Sequence, residues 1–254
     1  GSLRVAAASL FLLPIALTKL KGLTGTHYVK LFASGLMGIF FPAFLFALAQ
    51  TRLESSVTGI MNSLTPIITL LVGVFFFRQE FRRRSIVGII IGLIGTVILV
   101  LANTGGRIGG VNLFALFVIL ACVFYATNLN FIKYRITELR AITITSVSLM
   151  LIGPLAGLYL FVFTDFTYKL SNDDGAWVAF GYILLLGFMS TSLATILFNK
   201  LVKISSPLYT SSVTYLIPVV AVLWGLFDGE KLYAGHFAGM AAIICGVYLA
   251  NRKS

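Results

Sequence analysis

Nine stretches of the sequence contain no Asp, Glu, Lys or Arg, and their lengths constrain the fold more than any other feature. They are residues 5–18, 31–51, 55–77, 85–106, 108–132, 141–164, 175–199, 204–227 and 232–251. All but the first are at least 20 residues long, and about 20 apolar residues cross the hydrocarbon core of a bilayer as a helix. A helix is required there because backbone groups that face lipid must be hydrogen-bonded within the segment. The nine runs therefore predict an all-α polytopic membrane protein.

The overall composition excludes an ordinary soluble domain. Hydrophobic residues make up 59% of the 254 residues and charged residues only 11%, with a mean hydropathy of +1.00. Soluble domains are about 25% charged. The two cysteines, Cys122 and Cys245, both lie in apolar runs without a neighbouring metal-ligand pattern, and we expect free thiols and no cofactor.

The positive charges lie mostly on one side of the predicted membrane. If the C-terminus shares a side with the loops after the odd-numbered spans, that side holds fourteen of the nineteen Lys and Arg residues. The positive-inside rule then makes the C-terminus cytoplasmic. Basic loops beside lipid headgroups also account for the net charge of +11, so we expect no nucleic-acid partner.

The two halves of the chain repeat one pattern. Leu64, Thr65, Pro66, Gly73, Glu80, Gly88 and Gly95 return as Leu216, Ile217, Pro218, Gly225, Glu230, Gly239 and Gly246. An odd number of spans separates equivalent positions, so the copies should cross the bilayer in opposite directions. Inverted repeats of this kind are common in secondary transporters. The second half has five spans and the first has four, and we expect a further first helix to precede residue 1.

Two runs place polar side chains on one helical face beside a proline. In run 55–77 these are Thr58, Asn62, Thr65 and Thr69, and in run 204–227 they are Ser211, Thr214 and Tyr215. Pro66 frees the carbonyl of Asn62, and Pro218 frees the carbonyl of Thr214, so both prolines are expected to bend their helices. One interpretation is a pair of substrate-binding faces. The alternative is polar bonding between helices, worth about 0.6–2 kcal/mol per contact.

Two further runs are expected to pack beside these faces. Run 31–51 contributes Phe44 among several other phenylalanines, and run 175–199 carries Thr191, Thr195 and Asn199 on one face. A cavity with phenyl rings on one wall and hydroxyls or amides elsewhere suits a small neutral, zwitterionic or amphipathic solute. The alternative for the phenylalanines is contact with lipid.

No Asp, Glu, Lys or Arg lies inside any run, which argues against an obligatory buried proton carrier. Glu80 and Glu230 lie near the ends of the two proline-containing helices, on opposite membrane faces. They are candidate gate residues, and ordinary interfacial salt bridges are the alternative. The sequence shows no nucleophile, metal or phosphate-loop motif, so an enzyme is not expected.

The order and spacing of these motifs resemble a known family. Residues 49–56, 62–66 and 77–80, with Gly88 and Gly95, resemble the EamA repeat of the drug/metabolite transporter superfamily, and the second half repeats the pattern. The resemblance implies ten helices in the full protein, arranged as two inverted five-helix repeats with both termini cytoplasmic. Residues 1–104 would form the first repeat without its first helix, and residues 105–254 the second. The resemblance also implies a central cavity lined by the second, third, seventh and eighth spans visible here.

These lines predict a secondary transporter of the inner (plasma) membrane. It would export small metabolites such as amino acids by alternating access around a neutral central cavity. Its partners would be a small-molecule solute, the lipid bilayer and, for a glycine-lined face, a second copy in a homodimer. The alternative is a non-transporting membrane scaffold or lipid-handling protein with the same fold.

Overall fold

The computed structural model describes residues 1–53, 55–80, 83–103, 113–227 and 233–251, and within these ranges every regular element is helical. The helices are α1 (Ser2–Lys19), α2 (Gly25–Gly35), α3 (Phe41–Ala49), α4 (Ser55–Asn62), α5 (Thr65–Phe77), α6 (Arg83–Asn103), α7 (Ala115–Arg135), α8 (Ala141–Phe163), α9 (Phe166–Asn172), α10 (Ala176–Leu186), α11 (Ala194–Ile204), α12 (Pro207–Ser212), α13 (Leu216–Phe227) and α14 (Ala234–Asn251).

Within the described ranges, five helical segments are long and apolar enough to cross a membrane. They are Ser2–Lys19, Gly25–Ala49, Ala115–Arg135, Ala141–Phe163 and Ala176–Ile204, and two shorter apolar helices span Thr65–Phe77 and Ala234–Ala250. The predicted all-α polytopic membrane class is confirmed.

The chain forms two compact units. Unit 1 comprises Gly1–Phe44 and Phe131–Ile204, and unit 2 comprises Leu45–Asn130 and Ser205–Ser254. Each unit thus takes one segment from each half of the sequence. The repeat boundary near residue 104 stays a prediction, because a repeat of sequence need not coincide with a unit of packing.

Unit 1 is built on the contact between α1 and α8. Apolar side chains of the two helices form its core, including Val5, Leu12, Leu149 and Ile152. The helices approach closely because Gly153 leaves room for the side chain of Ser9, which a Cβ atom at position 153 would overlap. Small residues at such crossings are typical of membrane helices.

Helix α2 docks on α8 in the same unit. The absence of a side chain at Gly35 admits Ser148 and Ile152 of α8, and the Ser148 hydroxyl donates to the Leu31 carbonyl at 2.7 Å. This bond satisfies a hydroxyl that would otherwise be buried in apolar surroundings.

Unit 2 is built on the contact between α6 and α14. A Cβ atom at Gly95 would lie 2.7 Å from the Ile243 backbone nitrogen, and one at Gly239 would lie 2.8 Å from that of Leu99. Gly88 packs against the backbone of α14, and Gly246 packs against the backbone of α6, at similarly short distances. These four glycines therefore bring the backbones of α6 and α14 together inside one unit, and the homodimer stays a prediction.

Four of the apolar runs contain an interruption of α-helical geometry. In unit 1, π-helical turns at Leu36–Phe40 and Gly187–Leu193 separate α2 from α3 and α10 from α11. In unit 2, Ser63 and Leu64 separate α4 from α5, and a 3-10 turn at Val213–Tyr215 separates α12 from α13. Helices α1 and α8 stay continuous although each contains a proline, Pro14 and Pro154.

Candidate substrate-binding site

The break between α4 and α5 is centred on Asn62. Pro66 lies in the first turn of α5 and has no N–H to give to the Asn62 carbonyl. The Thr65 hydroxyl donates to that carbonyl instead, at 2.7 Å. The expectation that this acceptor is unpaired is therefore wrong, because a threonine three residues downstream supplies the missing donor.

The Asn62 side chain remains partly available. Its Oδ1 accepts from the Thr65 hydroxyl at 3.3 Å and lies 3.9 Å from the Cys122 thiol. In the part of the chain that the structure describes, nothing accepts a hydrogen bond from its Nδ2, and the residue is half-buried. Asn62 thus combines a helix break with two unused N–H donors.

The other hydroxyls on this face bond within their own helix or are buried. Thr69 donates to the Thr65 carbonyl at 2.8 Å and is fully buried. Thr58 is 4% exposed. A hydroxyl that donates within its helix still has oxygen lone pairs to offer as an acceptor.

The second break has a related arrangement. The Thr214 hydroxyl donates to the Ser211 carbonyl at 2.7 Å, and the Ser211 hydroxyl donates to the Leu208 carbonyl at 3.0 Å. Ser211 is buried, whereas Thr214 and Pro218 are half-buried. Helix α12 packs directly on α5, so the structure brings the two interrupted runs of unit 2 together.

Tyr215 lies in the core of unit 2. Its side chain is fully buried, its hydroxyl donates to the Ile89 carbonyl at 3.1 Å, and its ring lies against Gly92 of α6. A Cβ atom at Gly92 would come within 2.9 Å of that ring. These contacts tie the 3-10 turn to α6.

In unit 1, Phe44 belongs to an aromatic cluster. Its ring centroid lies 4.7 Å from that of Phe40 and 4.9 Å from that of Tyr159, the latter at an edge-to-face angle of 85°. Tyr159 of α8 was not singled out from the sequence, because nothing local indicates that its ring meets residue 44. Edge-to-face pairs of this kind add about 0.5–1.5 kcal/mol beyond burial.

The polar face of run 175–199 divides into three environments. The Thr191 hydroxyl is buried and has no hydrogen-bond partner within the described ranges, whereas Thr195 is half-buried. Asn199 is buried, and its Nδ2 donates to the Thr145 hydroxyl at 2.9 Å. Thr145 was missed from the sequence, although α8 carries several hydroxyls one turn apart that could have drawn attention.

The structure describes only one of the two candidate gate residues, Glu80. Glu80 is exposed and forms no ion pair with any cation that the structure describes, including Arg78. Glu230 lies outside the described residues.

Two side-chain amides join the end of α5 to α7. Beside Glu80, Gln79 Nε2 donates to Asn130 Oδ1 at 2.8 Å, and Asn130 Nδ2 donates to the Thr69 carbonyl at 3.1 Å. These bonds fasten the end of α5 to α7.

Comparison with known proteins places the chain among transporters. The model of the EamA-like transporter family matches residues 1–101 and 112–252. An uncharacterized transporter of Archaeoglobus fulgidus is 28% identical over 225 residues, covering 88% of this chain and 78% of that protein. The uncharacterized transporter YetK of Bacillus subtilis is 25% identical over 265 residues, covering 100% of this chain and 78% of YetK.

Two further similarities concern location and fold. The uncharacterized inner membrane transporter YedA of Escherichia coli K12 is 25% identical over 201 residues, covering 79% of this chain and 63% of YedA. A solved crystal structure superimposes with a TM-score of 0.77 at 18% identity, covering 98% of this chain and 85% of that one. The latter similarity shows a shared fold.

Proposed function

The chain belongs to the EamA-like transporter family, and we propose that it is a secondary transporter that exports small metabolites such as amino acids by alternating access. It is a multi-pass membrane protein, and the relatives it matches are named as transporters. The observation that carries the proposal is the position of the four helix interruptions.

The interruptions fall in corresponding runs of the two sequence halves. Both π-helical turns lie in the second and seventh runs, and both breaks lie in the third and eighth. The helices α1, α6, α7, α8 and α14 have no such interruption within the described ranges. Interrupted helices cost hydrogen bonds, and in transporters they supply polar groups to the substrate and allow half-helices to move.

The side chains at these interruptions support a neutral or zwitterionic solute. Among the residues that the structure describes, none accepts a hydrogen bond from Asn62 Nδ2, and none pairs with the buried Thr191 hydroxyl. A buried hydroxyl without a partner is unfavourable in a bare protein, and a bound solute would provide one. No Asp, Glu, Lys or Arg lies within the four runs to demand a solute of opposite charge.

We propose the inner (plasma) membrane as its location, with the C-terminus in the cytoplasm. The similarity to YedA, an inner membrane transporter by name, supports the membrane, and the bias of Lys and Arg toward one side supports the orientation. Glu80 and Glu230 remain the proposed gate residues, since each lies three residues beyond one of the two proline-containing runs.

Cysteine labelling tests this proposal against the scaffold alternative. In a variant with Cys122→Ala and Cys245→Ala, Asn62→Cys and Thr214→Cys are introduced one at a time and treated in membranes with an impermeant maleimide. We expect both to react, and one solute from a panel of amino acids and metabolites to slow the reaction severalfold. Thr26→Cys, in an exposed helix start, serves as the reactive control, and Leu158→Cys, on an apolar surface, as the lipid-facing one.

The scaffold alternative makes the opposite prediction. A protein without a water-filled path would leave positions 62 and 214 as unreactive as position 158, while position 26 still reacts. Reaction without protection by any solute in a wide panel would contradict the metabolite assignment.

A further inference from the structure

Unit 1 contains a pocket of about 460 Å³ where the start of α8 meets the end of α11. Its volume falls in the range of about 300–1,000 Å³ typical of small-molecule sites. Three cationic residues, Arg140, Lys200 and Lys203, line the pocket together with a single carboxylate, Glu138. None of these residues belongs to the proposed solute site.

Two of the three cations are available to a ligand. Arg140 and Lys200 are exposed, and the side chain of neither forms a hydrogen bond or ion pair with any residue that the structure describes. Lys203 is different, because its Nζ donates to the carbonyls of Ile136 and Thr137 at 2.6 and 2.7 Å. Lys203 therefore fixes the loop between α7 and α8, which carries Arg140.

The one carboxylate that lines the pocket is already paired with residues other than Arg140 and Lys200. Glu138 Oε1 accepts from Lys30 Nζ at 3.2 Å and lies 3.0 Å from His27 Nε2, while its Oε2 accepts from the Thr137 hydroxyl at 3.1 Å. Because Glu138 is held by the start of α2, it does not neutralise Arg140 or Lys200. The pocket therefore presents an excess of positive charge.

Apolar side chains form the rest of the wall. Leu139, Ile142 and Ile196 line the pocket beside the cations, and Ile142 and Ile196 belong to helices that are long and apolar enough to cross a membrane. A free inorganic anion gains nothing from such a wall. An amphipathic anion gains both the charge interaction and burial of its chain, at about 0.8 kcal/mol per buried CH₂.

We propose that this pocket binds an anionic phospholipid, with the phosphate between Arg140 and Lys200 and an acyl chain along Leu139, Ile142 and Ile196. Basic pockets between membrane helices recognise lipid headgroups through the same combination of charge and apolar wall. The lipid would brace the α7–α8 loop against α11 and α2.

Native mass spectrometry of the delipidated full chain in detergent tests the site. Phosphatidylglycerol is titrated against phosphatidylcholine of the same acyl chains, and sn-glycerol 3-phosphate and inorganic phosphate serve as soluble competitors. We expect phosphatidylglycerol to bind in preference to phosphatidylcholine. Arg140→Gln with Lys200→Gln should weaken phosphatidylglycerol binding by roughly tenfold, since each basic residue near a membrane surface contributes about 1 kcal/mol before solvent screening.

The matched control removes two other exposed cations, Lys19→Gln with Lys21→Gln, at the end of α1. This variant should keep wild-type lipid preference, and thermal unfolding should show that both double variants are folded. Equal binding of the two lipids would overturn the proposal. An equal loss of phosphatidylglycerol binding in both double variants would also overturn it. Displacement of phosphatidylglycerol by glycerol phosphate at matched concentration would also overturn it, in favour of a soluble phosphate ester. None of these readouts depends on transport.

Discussion

Asn62 shows how one residue can combine a structural break with a free recognition group. Its carbonyl loses a donor because of Pro66 and regains one from the Thr65 hydroxyl, which holds the break in a defined geometry. Its side-chain amide is left with unused donors in the middle of an apolar run. The threonine stabilises the interruption, and the asparagine is free to bind.

Replacement of the capping threonine should destabilise the protein. Thr65→Val keeps the shape of the buried side chain but leaves the Asn62 carbonyl without its donor, which costs about 1–3 kcal/mol. The variant should unfold several degrees lower in a thermal scan in detergent. Thr127→Val is the matched control, because its hydroxyl bonds a carbonyl inside the uninterrupted helix α7. Equal melting temperatures for the two variants would refute the capping role.

Tyr215 should behave as a packing residue. Tyr215→Phe removes the bond to the Ile89 carbonyl and keeps the ring against Gly92, so we expect a loss of about 0.6–1 kcal/mol and unchanged transport. Tyr182→Phe, on an exposed side chain, should change neither stability nor transport. A large transport defect with normal stability in Tyr215→Phe would place this hydroxyl on the solute instead.

Glu138 makes the stability of unit 1 depend on pH. A hydrogen bond from its own backbone N–H lowers the pKa of Glu138 most, and bonds from Lys30 and Thr137 lower it further, so that it reaches about 2 although burial raises it. A carboxyl whose pKa is lowered on folding stabilises the protein above its unfolded pKa, and this contribution is lost as the pH falls through the folded value. His27 Nε2 lies 3.0 Å from the same carboxylate.

The measurement is the melting temperature of wild type and Glu138→Gln from pH 7 to pH 2.5. As the pH falls from about 4.5 to 2.5, the wild-type advantage should shrink. It should be small throughout, because solvent screens this exposed pair. An advantage that grows between pH 4.5 and pH 2.5 would contradict the assignment.

At the scale of helices, the pair α6 and α14 depends on glycine. A side chain at Gly95 would meet the backbone of Ile243 and the Gly239 carbonyl, which cannot move aside as a flexible side chain can. Gly95→Val should therefore separate the helices and sharply reduce folded yield, with a cost above the roughly 1–3 kcal/mol typical of overpacking.

A second glycine provides the control for this substitution. Gly157 lies in the middle of α8, and a Cβ atom at this position would have nothing within 4 Å, so Gly157→Val should leave folded yield near wild type. Size-exclusion chromatography of the two variants expressed in parallel distinguishes them. Similar yields would show that α6 and α14 do not rely on close backbone contact.

The elements also show where sequence reasoning succeeds and where it stops. The apolar runs predicted the helices, and Pro66 predicted a bend in the third run, which the structure interrupts at residues 63–64; both signals are local. No proline marks the π-helical turn at Gly187–Leu193, which packs against α1 with Gly187 beside Ala7. This contact joins residues far apart in the sequence, so the run by itself does not predict the turn.

At the scale of the molecule, the partners of the site residues were the least predictable feature. Phe44 meets Tyr159, and Asn199 meets Thr145, although each pair is far apart in the sequence. Nothing in the local pattern around any of these residues specifies such a pairing. The transporter class was predictable nonetheless, because it rests on span lengths and repeated motifs that each half of the chain carries independently.

The most direct measurement is solute counterflow into proteoliposomes that contain the full chain. We expect one labelled amino acid or related metabolite to accumulate, and Asn62→Leu to reduce its uptake at least about tenfold with normal folded yield, since an unmet polar group of a bound solute costs about 1–3 kcal/mol. Asn172→Leu, which removes an exposed amide in α9, should transport like wild type. A well-folded wild-type protein that accumulates no solute, or an Asn62→Leu variant that transports normally, would contradict the account.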